Sequence, residues 1–285
     1  MTPLVLALVA AGALAHAAWN LTIKRARTSG AGFLWLTFAV GALVFAPFGV
    51  WALVAEGVDL WRWAGFALGS GALQVGYFLL LQKGYSVGDV SVVYPLARGT
   101  GPLLSVLLAI VLLGERPGWP VLLGAVVVVA GVVTIGLAGG RAGGRANRAG
   151  VLFGLLIGVL IACYTLWDAS AVTVGALPVV ALYWGSLVVQ TALLAPWAVR
   201  DRQLRATAVA HRGSVLIVGV LAPLAYIFIL LAIQLAPVSV VAPAREVSVV
   251  LVSLAGWLWF KEPHPGQRLV GAAIVLLGVG VLTVG

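Results

Sequence analysis

The sequence predicts an all-α polytopic membrane protein whose ten transmembrane helices form two inverted five-helix repeats. Three observations carry that expectation. Of 285 residues, 62% are hydrophobic and 9% charged, whereas a soluble domain averages about 45–50% apolar and about 25% charged. The apolar residues fall into ten continuous runs, each close to the about 20 residues that cross a bilayer as a helix. The chain also lines up with itself when shifted by 148 residues.

The spans, in order, are residues 3–23, 31–54, 63–82, 87–113, 119–138, 150–172, 177–199, 213–235, 238–260 and 267–284. Span 1 contains Ala15-His16-Ala17, which looks like a signal-peptide cleavage site, but a signal carries its basic residues in front. Here Lys24, Arg25 and Arg27 follow the run and none precedes it, so it is read as a first membrane helix. Span 3 ends at Lys83. Span 4 holds Pro95, Gly99, Gly101 and Pro102, which weaken it internally, and closes at Gly114-Glu115 before Pro117. Span 5 leads into a Gly/Arg-rich linker, residues 139–148, which separates a first unit (1–138) from a second (149–285). Span 7 is followed by Arg200, Arg202, Arg205 and Arg212. Span 9 contains Pro243 and ends at Lys261-Glu262 before Pro263. Continuous runs of this length exclude a β-barrel, whose strands alternate and are about half as long.

Thirteen of the 17 Lys and Arg lie in the connectors after spans 1, 3, 5, 7 and 9. Arg62 and Arg116 lie in the alternate connectors, and Arg98 and Arg245 lie inside spans. The positive-inside rule assigns the thirteen to the cytoplasm and places both termini outside a cell (inner) membrane. The net charge of +9 is therefore a topological rim and not a nucleic-acid face.

In the repeat register, Trp19-Asn20 falls on Trp167-Asp168, His16 on Tyr164, and Ser91-Val92-Val93-Tyr94-Pro95 on Ser239-Val240-Val241-Ala242-Pro243. After a single-residue gap, Arg98 falls on Arg245, Glu115 on Glu262, Gly124-Ala125 on Gly271-Ala272 and Gly131 on Gly278. Each unit has five spans, so the second must enter the membrane upside down. Inverted repeats recur in secondary transporters, with the substrate site near the midplane between the halves.

The chain resembles the EamA-type transporters of the drug/metabolite transporter (DMT) superfamily. The resemblance rests on His16-Ala17-Ala18-Trp19-Asn20 with Lys24, on Tyr94-Pro95 and Ala242-Pro243, and on Gly114-Glu115 and Lys261-Glu262. It implies a carrier for small metabolites or drugs, often an exporter of amino acids or related compounds. It also implies cytoplasmic termini, in contrast to the charge count.

Ionisable groups within a span are costly and mark candidate sites. These are Arg98, Arg245 and Glu246, each just after Pro95 or Pro243, which remove a backbone donor and are expected to break their helices. Either arginine can hold a substrate carboxylate or phosphate bidentately; alternatively both are neutralised by Glu246 and serve to fasten the halves. His16 and Asn20 share one helix face, as do Tyr164 and Asp168. His16 and Asn20 are candidates to bond the substrate, His16 and Asp168 are candidates for proton coupling, and interhelical hydrogen bonding is the plainer role for the stripe. Tyr77 with nearby Gln74, Tyr94, Tyr164 and Tyr226 are candidate lining aromatics, with simple packing as the alternative. The eleven Trp are expected in the interfacial belts. Glu115 and Glu262 are expected as solvated helix ends or gate contacts, and the pairs Gly124/Gly131 and Gly271/Gly278 as packing faces, between the halves or in a homodimer.

Other classes fit poorly. His16, His211 and His264 are far apart with no His-Glu-x-x-His, so no metal or cofactor is expected. Cys163 stands alone in an apolar run. Gly88-Asp89 lacks the second aspartate of an aspartyl protease, and no phosphate-binding loop is present. An intramembrane enzyme is thus disfavoured, and a channel remains the second alternative. The expected partners are a small-molecule substrate and the lipid bilayer.

Overall fold

A computed structural model describes residues 1–26, 30–88, 90–138, 148–260 and 264–284. Twelve helices lie among them: α1 (Pro3–Ala26), α2 (Ala31–Ala55), α3 (Leu60–Val87), α4 (Val90–Leu112), α5 (Trp119–Ala138), α6 (Arg148–Thr173), α7 (Val179–Arg200), α8 (Leu204–Ala210), α9 (Arg212–Leu235), α10 (Val238–Ala244), α11 (Val247–Phe260) and α12 (Pro265–Val284). Ten stretches among these are long and apolar enough to cross a membrane. At 1.5 Å per residue the 24 residues of α1 reach about 36 Å, more than the about 30 Å hydrocarbon core. Large apolar side chains such as Leu43 and Val54 are more than 70% exposed, as expected of a surface whose solvent is lipid.

The ten spans match the sequence reading, with two additions. The connector after α7 contains the short helix α8. The ninth span is two helices, α10 and α11, joined at Arg245 and Glu246. Arg27, Asp89, Arg141, Arg145, Lys261, Glu262, Pro263 and most of the 139–148 linker lie outside the described residues.

Helix packing obeys a two-fold exchange of the halves. The contact of α1 with α9 has its counterpart in α6 with α3, α4 with α6 in α11 with α1, α2 with α9 in α7 with α3, and α4 with α5 in α11 with α12. The pairs α2–α7 and α5–α12 are their own counterparts. Most of these contacts join one half to the other, so neither unit has a self-contained core.

The basic connectors gather at one end. The start of α2 meets the α7–α9 connector, where Gly32 packs on Asp201 and Leu204 and Phe33 packs on His211. Arg25 lies over the Trp259 ring at 5.4 Å. The opposite end holds the amino-terminal nitrogen, bonded to the Thr283 carbonyl at 3.2 Å.

Within a bilayer, helix association relies on close van der Waals packing because lipid is as apolar as the side chains. The α5–α12 seam provides it. A Cβ on Gly131 would lie 2.6 Å from the Val275 backbone nitrogen, and one on Gly278 would lie 2.6 Å from that of Val128. These glycines therefore bring two backbones together between the halves. That use within the chain removes the sequence's ground for a homodimer at the same faces.

Trp51, Trp61, Trp119, Trp197 and Trp259 are exposed near helix ends, where an interfacial belt would hold them, while four other tryptophans cross between helices. The Nε1–H groups of Trp35, Trp63, Trp167 and Trp184 donate to the carbonyls of Thr191, Ala181, Phe66 and Ala42 at 2.9–3.0 Å.

Candidate functional site

The prolines act differently in the two halves. Helix α4 runs unbroken through Pro95 and Pro102, contrary to the expected break, with Pro95 packed on Gly136. In the second half the helix does break, two residues after Pro243. There the Glu246 N–H donates to the Pro243 carbonyl and the Val249 N–H to that of Glu246, a three-residue spacing that tightens the turn. The single-residue gap of the repeat register accounts for the difference. Two residues separate Pro95 from Arg98, and one separates Pro243 from Arg245. A missing residue turns everything beyond it by about 100° on a regular helix, and the local turn absorbs that rotation.

The turn brings together what a straight helix would splay apart. Glu246 is 1% exposed and lies between two guanidinium groups, 3.5 Å from Arg98 Nη1 and 3.5 Å from Arg245 Nε. Sequence neighbours on a regular helix point apart; Arg245 and Glu246 meet at the tightened turn that joins α10 to α11. Arg98 Nη2 is 3.1 Å from His16 Nε2, its Cζ is 5.8 Å from the Tyr94 ring centroid, and Arg245 Nη1 donates to Thr165 Oγ1 at 3.2 Å. Arg245 Nε has no hydrogen-bond partner, its contact with Glu246 being an ion contact without hydrogen-bond geometry.

These groups border a cavity of about 190 Å3 between the halves. Arg98, Arg245, His16, Tyr77, Tyr164 and Tyr226 all line it, as do Gln74 and Tyr183; Glu246 and Asp168 do not. Two cations thus face the cavity while the carboxylate they share is withdrawn behind them, leaving about one net positive charge. The tyrosines form an edge-on chain, Tyr77 to Tyr164 to Tyr226, with centroids 5.8 and 5.9 Å apart.

The remaining sequence candidates lie elsewhere. Asn20 donates to the His16 carbonyl of its own helix at 2.8 Å and is not a lining residue; Tyr94 is not one either, and lies against Arg98. Asp168 is fully buried behind the lining, where its Oδ2 accepts from Tyr226 Oη at 2.9 Å and from Gln74 Nε2 at 3.4 Å. Sequence reasoning missed the other members of this network: Ser70 on α3, and Tyr183, Ser186 and Gln190 on α7, linked by bonds of 3.0–3.4 Å. Polar residues at the helical spacing 183, 186 and 190 were the signal available.

The cavity is off-centre. Its lining runs from Gly12 to Ile23 on α1, from Phe33 to Phe38 on α2 and from Val218 to Ile229 on α9, so it extends toward the basic end. There a thin cluster of Phe33, Val215 and Val218 with Trp19 and Ile23 borders it. The other end is filled by the main core, including Val5, Val9, Leu177 and Val238. At that end the half-buried Glu115 is not a free helix end. Its two carboxylate oxygens accept the N–H groups of Val238 and Ser239 at 2.7 and 2.9 Å, satisfying donors that the start of α10 leaves unpaired.

A ten-span bundle of two inverted units around a largely apolar central cavity that carries two arginines fits a multi-pass membrane transporter of small solutes. The model of the EamA-like transporter family matches residues 3–137 and again residues 148–284, and the chain belongs to that family, within the DMT superfamily. Twenty-nine chains of solved structures match it. One, described as "Crystal structure of protein", superposes with a TM-score of 0.77 at 20% identity, over 97% of this chain and 95% of that chain; it supports the fold alone. No curated protein matches the chain.

Proposed function

We propose that the protein is a secondary carrier that alternates access around the central cavity and moves a small organic solute bearing an anionic group, such as an amino acid or related carboxylate. The observation that carries this reading is the charge placement: Arg98 and Arg245 face the cavity while Glu246, 1% exposed, stays behind them. A guanidinium matches a carboxylate in planar, bidentate geometry, and an arriving anion would replace the unmatched share of Glu246. The volume, about 190 Å3, is below the about 300–1,000 Å3 of pockets that take drug-sized ligands, which favours a small metabolite over a bulky drug.

The basic rim supports a cytoplasmic assignment for the end toward which the cavity extends. On that assignment the conformation is inward-facing, both termini lie outside, and loading from the cytoplasm makes the carrier an exporter at the cell (inner) membrane. The carrier reading is tested by counterflow in proteoliposomes with three labelled probes: lactate, alanine and putrescine. Saturable counterflow of lactate or alanine, without putrescine, is expected. Arg98→Ala should abolish it at normal abundance in the membrane. Flux that does not saturate would identify a channel, and counterflow unchanged in Arg98→Ala would remove that residue from the site.

A further inference from the structure

The Asp168 network is built on groups other than the two arginines, and it carries a carboxylate that no cation among the described residues pairs with. Asp168 is fully buried in α6, its Oδ1 has no hydrogen-bond partner, and among the described residues no Lys, Arg or His lies at ion-pairing distance from it. The titratable groups nearest it are neutral phenols: Tyr164 on its own helix, Tyr183 on α7 and Tyr226 on α9, with Tyr77 of α3 beyond Tyr164. The charged groups on the other packed elements, Arg98 on α4 and Arg245 with Glu246 at the α10–α11 turn, are engaged with one another, with Thr165 and with His16 of α1.

The repeat supplies an internal comparison. The counterpart of Asp168 in the first half is Asn20, an amide of nearly the same shape. An Asn at 168 would still present an oxygen to Tyr226 and Gln74, so the bonds seen do not require a carboxylate. What an acid can do there and an amide cannot is take up and release a proton. The groups directed at Asp168 Oδ2, Tyr226 O–H and Gln74 N–H, are donors and not the oxygen ligands that a metal cation needs.

We propose that Asp168 is the proton-binding residue of the transport cycle, loaded from the cavity through the hydroxyl of Tyr226. Tyr226 lines the cavity and touches Asp168. In a concerted relay a hydronium ion in the cavity gives a proton to the Tyr226 phenol oxygen and leaves as water, while the Tyr226 O–H bond breaks and its proton forms the O–H bond of a neutral carboxylic acid at Oδ2; one proton is gained and no electron moves. The new acid then donates back to the phenol oxygen. The network ties α3, α6, α7 and α9 together, so its charge state acts on the helices that enclose the cavity and couples proton occupancy to their rearrangement.

This inference rests on the carrier reading, and the test separates the two. Wild-type protein in pyranine-filled proteoliposomes, given whichever of lactate or alanine shows counterflow, is expected to move protons across the membrane together with solute. In Asp168→Asn proton movement should be lost while counterflow remains measurable, and in Asp168→Glu it should return. Infrared titration of the protein without substrate should show a carboxylic-acid carbonyl band in the wild type that is missing from Asp168→Asn; this readout needs no transport. Wild-type counterflow without proton movement, proton movement persisting in Asp168→Asn, replacement of the proton requirement by a sodium requirement, or absence of the infrared band would each overturn the proposal. Absence of counterflow in the wild type would instead overturn the carrier reading.

Discussion

Glu115 offers the sharpest test of how the two halves are held. It lies in the connector after α4, in the first unit, and its carboxylate caps the start of α10 in the second, at the end away from the basic rim. A hydrogen bond to a charged group contributes about 1.5–3 kcal/mol net, which sets about 3–6 kcal/mol as the ceiling for two. Glu115 is half-buried, so water can replace part of what is lost, and about 2 kcal/mol is the expected cost of Glu115→Ala. For a chain of this size about 1 kcal/mol corresponds to a shift of about 2–4 °C, so detergent-solubilised Glu115→Ala should melt about 4–8 °C lower. Glu115→Gln keeps one acceptor oxygen and should fall in between. The contact also bridges the halves where the cavity is closed, so its loss should raise the reactivity of a cysteine at Val5, in a background lacking Cys163, toward a thiol reagent at that end. An unchanged melting temperature together with an unreactive Val5→Cys would refute the latch.

Gly131→Ala should destabilise the α5–α12 seam by about 1–3 kcal/mol, the usual cost of overpacking, because its Cβ would fall 2.6 Å from a backbone nitrogen. Gly280→Ala, on the same helix pair but with open space around it, should be neutral or slightly stabilising through helix propensity; equal melting shifts in the two variants would contradict the packing argument. Arg98→Lys should restore only part of the counterflow lost in Arg98→Ala, since a single ammonium cannot form the planar fork; full recovery would show that charge alone suffices. Thr37→Cys, in the cavity wall near the basic end, should react with an impermeant thiol reagent added from the cytoplasmic side. A reporter fused after Gly285 should report the outside; a cytoplasmic signal would reverse the orientation drawn from the basic rim.

Much of the architecture was legible because membrane insertion imposes rules on the sequence itself. Each span must satisfy its backbone internally, so the runs around residues 31–54 and 213–235 announce helices without knowledge of their neighbours. The odd number of spans per repeat announces inversion. The site was legible in part: Arg98, Arg245, Glu246 and His16 stood out because charge and imidazole are costly in lipid. Pro95 misled, since the packing of a proline on a glycine of another helix, Gly136, is a tertiary fact. Glu115 was left open between a helix end and a gate contact because its partners are backbone N–H groups of the other half, which carry no side-chain signature.

By itself, the sequence determined the ten spans, their pairing into two inverted sets and the one-sided placement of the basic connectors, because apolar length, parity and charge asymmetry are properties of one chain read along its length. Only the tertiary structure decided which polar groups face the cavity. The single-residue gap before Arg245 was visible in the sequence, but its consequence depends on where the helix absorbs the missing turn. The break at Arg245 and Glu246 places Arg245 on the cavity beside Arg98 and withdraws Glu246 between them, while helix packing sets Asp168 behind Tyr226. Those positions arise from rotation and contact between helices far apart in sequence, and no local pattern encodes them.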